Sequence, residues 1–264
     1  RVPAAYCGCY GIKPTYGLVS TRGVAPLAWT LDHVGPLAKT AEDLAILLEA
    51  LIGYDGASPD SERITTDRIA FGPANLTVGY IRQINQADMH ADVRDVYEAF
   101  LENLHLRGAK LVELDWDGFA ASPARRAGLL ISEAEAGFAL TDDLDNRPER
   151  FSDGLRDMLN FGRTAPAAKL VKAERQVREV RRLVRNSFIE ADIIALPTAP
   201  MPPFPFDGEY PVTQADFCAP ANFAGCPALS FPGGETKDGL PIGMQLMADN
   251  GRDFGLIGLA GAIS

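Results

Sequence analysis

A layered α/β fold is predicted by three features of the sequence. Segments of β-like and α-like character alternate with Pro and Gly between them; residues 76–116 read as strand, helix and strand; two apolar strands near the end flank a Gly-rich turn. With 264 residues, 47% of them hydrophobic and 23% charged, the chain is long enough to bury a sizeable core. No repeat or low-complexity linker divides it, so residues 1–264 read as part of one domain.

Taken in order, residues 17–37 form a loop-rich stretch carrying Gly17, Gly23, Pro26, Gly35 and Pro36. Thr40 with Asp43 three positions on caps a helix whose Leu44, Leu47, Leu48 and Leu51 fall on one face and whose Gly53 suits the stop. "LTVGYI", "DVRDVYEAFLENLHLRG" and "KLVELDW" give the strand–helix–strand unit, the kind that feeds a parallel pair through a right-handed crossover. From Ser122 to Ala191 the chain is helical, with a break expected at Pro148 and Gly154. The last helical piece sets Leu170, Ala173, Val177, Val180, Val184 and Phe188 on one stripe. "DIIALPT" is a buried-type strand, and the Pro-rich "APMPPFPF" after it must be irregular or extended. "PALSFP" and "IGMQLMA" flank "GGETKDGLP" as a hairpin. "DFGLIGLAGAIS" reads as the first turns of a helix that stops at Ser264 with apolar residues uncovered, and both ends of the chain read as cut.

Formal net charge is −10, the wrong sign for a protein that neutralises phosphates or anionic lipid, so neither nucleic acid nor a membrane is expected as partner. The basic face of the long helix, Lys169, Lys172, Arg175, Arg178, Arg181, Arg182 and Arg185, reads as solvated surface on this acidic background. No apolar run reaches the roughly 20 residues of a membrane span and no signal peptide is seen, which makes a cytoplasmic setting the expectation. Cys7, Cys9, Cys218 and Cys226 read as reduced, mostly buried thiols; two disulfides or one metal site are the alternatives, though Cys-Gly-Cys is tight for a zinc loop.

Chemistry is sparse. His90 stands beside a helix start and His105 near a helix end; His33 has Asp32 beside it, but neighbours on extended backbone point to opposite faces. Nucleophile elbows, zinc-binding His pairs, phosphate loops and dinucleotide fingerprints are all absent from the sequence. Glu133 with Glu135, and Asp142 with Asp143, are spaced so that they do not share a helix face and read as surface charge.

The stretch "RVPAAYCGCYGIKPTYGLVSTRGVAPLAWTLDHVGPLAKTAEDLAILLEALIGYD" nevertheless resembles the amidase signature family of serine amide hydrolases. Arg1, Pro3, Ala4, Gly8, Gly11, Lys13, Pro14, Thr15, Gly17, Ser20, Gly23, Leu31, Asp32, Gly35 and Pro36 fall where that family's pattern has them. A second block, "PANFAGCPALSFPGG" followed by "DGLPIGMQLMA", matches with Asn222, Gly225, Pro227, Ala228, Pro232, Gly239, Pro241, Gly243 and Gln245 in step. The blocks bracket the chain in family order.

The resemblance implies an α/β/α sandwich with a central mixed sheet, here incomplete at the N-terminus, so that residues 1–264 are the C-terminal part of a single amidase domain. It implies an amidase acting through an acyl-enzyme formed on a Ser two residues before Arg1, with a cis-peptide Ser and a base Lys further upstream. On that reading no catalytic residue lies in this chain, and the chain alone is inactive. Arg1 is implied as a supporting residue that pairs with an Asp of the nucleophile loop. Leu27 and Trp29 are implied to line the substrate cavity, with Phe217, Cys218 and Asn222 on a second loop facing it. The substrate is a small-molecule amide, no cofactor or metal is called for, and homo-oligomerisation is left open. A stand-alone amidase is favoured because the helical middle lacks the Arg-Tyr-Asp-Gly stretch of the amidotransferase component that acts in glutaminyl-tRNA formation. That amidotransferase component, and a non-catalytic binding domain of the same fold, are the alternatives.

Overall fold

The computed structural model describes residues 1–68, 71–208 and 210–264. A short helix α1 (Val2–Tyr6) leads into strands β1 (Tyr10–Lys13) and β2 (Leu37–Ala38) and helix α2 (Ala41–Leu51). Strand β3 (Thr77–Ile81), helices α3 (Arg82–Asn85) and α4 (Ala91–Leu106) and strand β4 (Lys110–Leu114) come next. The helical middle contains α5 (Ala121–Ala139), α6 (Thr141–Asn146), α7 (Asp153–Thr164) and α8 (Ala167–Glu190). Strand β5 (Ile193–Pro197), helix α9 (Ala219–Ala224), the hairpin β6 (Ala228–Glu235) and β7 (Pro241–Ala248), and helix α10 (Asp253–Ile263) complete the chain.

The strands form one seven-stranded sheet in the order β2-β1-β6-β7-β5-β3-β4. β3 pairs parallel with both β4 and β5, and the remaining pairs are antiparallel, so the sheet is mixed. Every residue of β5 is buried, and they divide by parity. Ile193 and Ala195 join a core shared with α2, α4 and α10, whereas Ile194 and Leu196 join a second core shared with α5, α8 and α9. Helices therefore cover both faces, an α/β/α sandwich.

Most elements lie where the sequence placed them. Thr40 caps α2, its hydroxyl accepting from the Asp43 N–H at 3.1 Å. The buried face of α2 is rotated from the expected one, however. Leu44 and Leu48 are fully buried and Ala41, Ala45 and Ile52 pack beside them, but Leu47 and Leu51 are 43% and 42% exposed, one helical step off that face. On α8 the stripe of Ala173, Val177, Val180 and Val184 is buried with Leu170 and Phe188 at its margins. Its basic face is not entirely solvated: the Arg181 Nε donates to the Phe223 carbonyl at 2.7 Å.

Three other expectations are corrected. Gly154 lies inside the first turn of α7 rather than breaking a helix, and a further break falls at Ala165 and Pro166. The closing apolar stretch is covered, because Leu256, Ile257, Leu259, Ala260 and Ile263 of α10 are buried in the first core. The thiols are all free, but only Cys218 and Cys226 are buried; Cys7 is exposed and Cys9 half-buried.

Helix α1 is seated on the sheet by two glycines. A Cβ at Gly11 would stand 2.6 Å from that of Ala4, and one at Gly243 would stand 2.4 Å from that of Ala5, so neither position has room for a side chain. This close approach fixes the start of the chain on the face that carries Ser230 and Gln245.

Candidate active site

From its place at the start of α1, the Arg1 side chain reaches both parts of the closing sequence block. Its Nη1 donates to the Gln245 Oε1 on β7, and its Nη2 to the Asn222 Oδ1 on α9. Each amide then spends its other end on a backbone carbonyl: Gln245 Nε2 donates to Phe217 O at 3.1 Å and Asn222 Nδ2 to Leu31 O at 3.2 Å. Because amide oxygens only accept and amide nitrogens only donate, Arg1 fixes the orientation of both side chains. Gln245 is fully buried. Among the described residues Arg1 makes no ion pair; its charge rests against neutral dipoles.

The Leu31 carbonyl also accepts from His33 Nδ1 at 2.7 Å. A carbonyl cannot donate, so Nδ1 carries the ring proton, and Nε2 is left to accept from the Lys13 Nζ 3.1 Å away. Lys13 Nζ makes a second bond to the Pro14 carbonyl at 2.8 Å. Burial lowers the Lys13 amine to about 7. Burial holds His33 well below the usual imidazole range. An unbroken set of hydrogen bonds thus runs from Lys13 through His33, Leu31, Asn222, Arg1 and Gln245 to Phe217.

Thr15 anchors the same segment to α10. Its N–H and hydroxyl donate to the buried Asp253 carboxylate at 2.8 and 2.7 Å, and its hydroxyl accepts from Gly251 N at 3.0 Å. Burial raises the Asp253 carboxyl, against the pull of its bonds to Thr15.

A cleft of about 580 Å³ opens at the carboxyl ends of the parallel strands. Phe217, Phe119, Met89 and Met201 line it together with Asp216 and His90. Ligands of open α/β sheets bind at such crevices. Asp216 is held by Arg125 Nε at 2.6 Å and by the Ser122 hydroxyl, which leaves its carboxylate already paired.

The residues singled out in the sequence are thus only partly brought together. Arg1 and Asn222 touch, and Phe217, which borders the cleft, joins them through its carbonyl. Cys218 Sγ donates to Thr198 O at 3.3 Å. Leu27 and Trp29 stand on an exposed loop, Trp29 edge-on to Phe138 of α5 at 6.1 Å between ring centroids, and neither lines the cleft. Sequence reasoning missed the partnership of Lys13 and His33, because the four-residue strand "YGIK" that buries Lys13 is too short to read as one. Among the described residues no group of three His, Cys, Asp or Glu is placed to hold a metal ion, and no helix is long and apolar enough to cross a membrane.

The mixed sheet between two helical layers is the fold of amidase-signature proteins. The chain belongs to the amidase signature family: the family's sequence profile, described as Amidase, matches residues 1–257. The glutamyl-tRNA(Gln) amidotransferase A-component of Desulfosudis oleivorans is 33% identical over 97% of this chain and 60% of its own length. The same component from Thermosynechococcus vestitus is 32% identical over 94% and 58%. Among solved structures, one described as a vestigial protein complex that reveals the evolutionary origins of an s-triazine catabolic enzyme is similar with a TM-score of 0.84 and 30% identity, over 99% of this chain and 59% of its own. The Thermotoga maritima glutamyl-tRNA(Gln) amidotransferase A-component follows at 0.81 and 26%, over 99% and 58%. The chain therefore spans somewhat more than half the length of these relatives.

Proposed function

We propose that this chain is the part of an amidase that supports the nucleophile and walls the substrate cleft, in an enzyme that cleaves a carboxylic amide to the acid and ammonia or an amine through an acyl-enzyme. The supporting observation is the double clamp of Arg1 on Asn222 and Gln245. Two residues of chain span at most about 7 Å. A serine two positions before Arg1 would therefore be tethered close to the clamp, and the guanidinium, which makes no ion pair among the described residues, would meet the carboxylate of its loop. Attack on the amide carbonyl, assisted by a base lysine through a bridging serine, is the chemistry the family resemblance implies; the groups for it are proposed to lie ahead of Arg1. The Phe217 face of the cleft suits the apolar body of an aryl or aliphatic amide.

A second reading, an amidotransferase component that releases ammonia from glutamine, is favoured by the names of the relatives above. The test uses the protein with the sequence that precedes Arg1. Aryl and aliphatic primary amides should be hydrolysed, and replacing the serine two residues before Arg1 by Ala should lower turnover by on the order of a millionfold. Equal turnover in that variant would overturn the proposal. Glutamine as the only amide cleaved, with other polypeptides co-purifying, would move the assignment to the second reading.

A further inference from the structure

Lys13 is 6% exposed, and its amine meets two acceptors, the Pro14 carbonyl and His33 Nε2. An ammonium has three N–H groups and would leave one of them without either acceptor, whereas an uncharged amine has two, one for each. The groups facing it from other elements pull in both directions, Asp253 toward the cation and Arg1 away from it, and burial outweighs them. Cys226, before β6, is a buried thiol pushed up to about 11 and so stays neutral near pH 7. Asp253, at the head of α10, has its carboxylate engaged by Thr15. Arg1, at the head of α1, is itself cationic and disfavours a second cation. The Tyr16 ring lies edge-on to His33 at 5.4 Å.

We propose that Lys13 is a positioning residue: as the uncharged amine it fixes the His33 tautomer, and through the Leu31 carbonyl it holds Asn222 and so aims Arg1. The coupling works by direction. With Lys13 donating to Nε2, the His33 proton stays on Nδ1 and loads the Leu31 carbonyl from one side while Asn222 Nδ2 loads it from the other. Asn222 is thereby locked with Oδ1 toward Arg1. The amine of about 7 agrees with this role. As the pH falls below that value, Lys13 gains a third N–H that neither acceptor serves and a buried charge beside Arg1, and the hold on Asn222 loosens.

The inference deepens the proposed function but is tested apart from it, by NMR on the full chain with labelled lysine, histidine and asparagine. Lys13 should titrate near neutral pH, His33 should carry its proton on Nδ1, and Lys13→Met should shift the Asn222 side-chain amide signals and speed their solvent exchange at least tenfold. Lys13→Gln, which supplies two donors, should restore most of that protection. Lys13 titrating with the surface lysines, His33 protonated on Nε2, or Asn222 signals unmoved in folded Lys13→Met would each overturn the proposal. In the amide-hydrolysing protein, Lys13→Met should lower kcat about tenfold or more with KM within about twofold. Activity missing from the parent as well would count against the proposed function, while the NMR result would still decide the role of Lys13.

Discussion

At the scale of single residues, Lys13 makes stability depend on pH in the same sense as a salt-bridged carboxylate, but over a range several units higher. Its folded value of about 7 lies below the ordinary 10.5, so between those values the unfolded chain binds a proton that the folded one does not. The lysine's contribution is therefore fully present above about pH 10.5 and is lost as the pH falls through about 7. Urea titrations of the parent and Lys13→Met across this range should show the difference shrinking as pH rises, with Met the more stable of the two at pH 7; a flat difference would contradict the burial argument. The family pattern singles out Arg1 in the sequence, but it does not give the partners the structure shows. Asn222 and Gln245 lie 221 and 244 positions away, and a motif records which residues recur without recording which of them touch.

At the scale of elements, α5 and α7 cross in close contact. A Cβ at Gly162 would stand 2.1 Å from the carbonyl carbon and oxygen of Glu133, so the two backbones pass in contact. Gly162→Ala should push α7 off α5 at a cost of about 1–3 kcal/mol. Limited proteolysis should then cut first between residues 140 and 166, and early cutting elsewhere would place the weak point in another element. The long helices were readable because apolar periodicity persists over several turns, as on α8. β1 was not, because its four residues include Gly and Lys and are too few to show alternation. The break at Ala165 and Pro166 follows from proline's effect on the residue before it, a local signal hidden within a strongly helical composition.

At the scale of the whole molecule, the two cores share β5 and should lose their packing together. Cysteine reactivity reports this. Exposed Cys7 should react at once with a thiol reagent, whereas Cys226, 2% exposed and with its thiol raised to about 11, should react only when the sandwich opens. Its labelling rate should rise with urea in step with the loss of secondary structure, and rapid labelling of native protein would show that the second core opens alone. The layered class was legible from the alternation of segments. Strand order was not, since β1 finds its neighbour in β6 and β5 lies between β7 and β3, pairings that no local pattern encodes.

That strand order has a consequence for the making of the protein. Gly11 pairs with Ser230, so the second strand edge of β1 waits through roughly 200 residues of synthesis before its partner exists. At about 5–20 residues per second, β1 would leave the ribosome some 10–40 s ahead of β6. Throughout that interval Ala5 of α1 has no Gly243 to settle on, and β1 offers free amides to any strand nearby. Nascent chains halted before residue 228 should accordingly be held by chaperones or aggregate, and release should coincide with emergence of the closing hairpin.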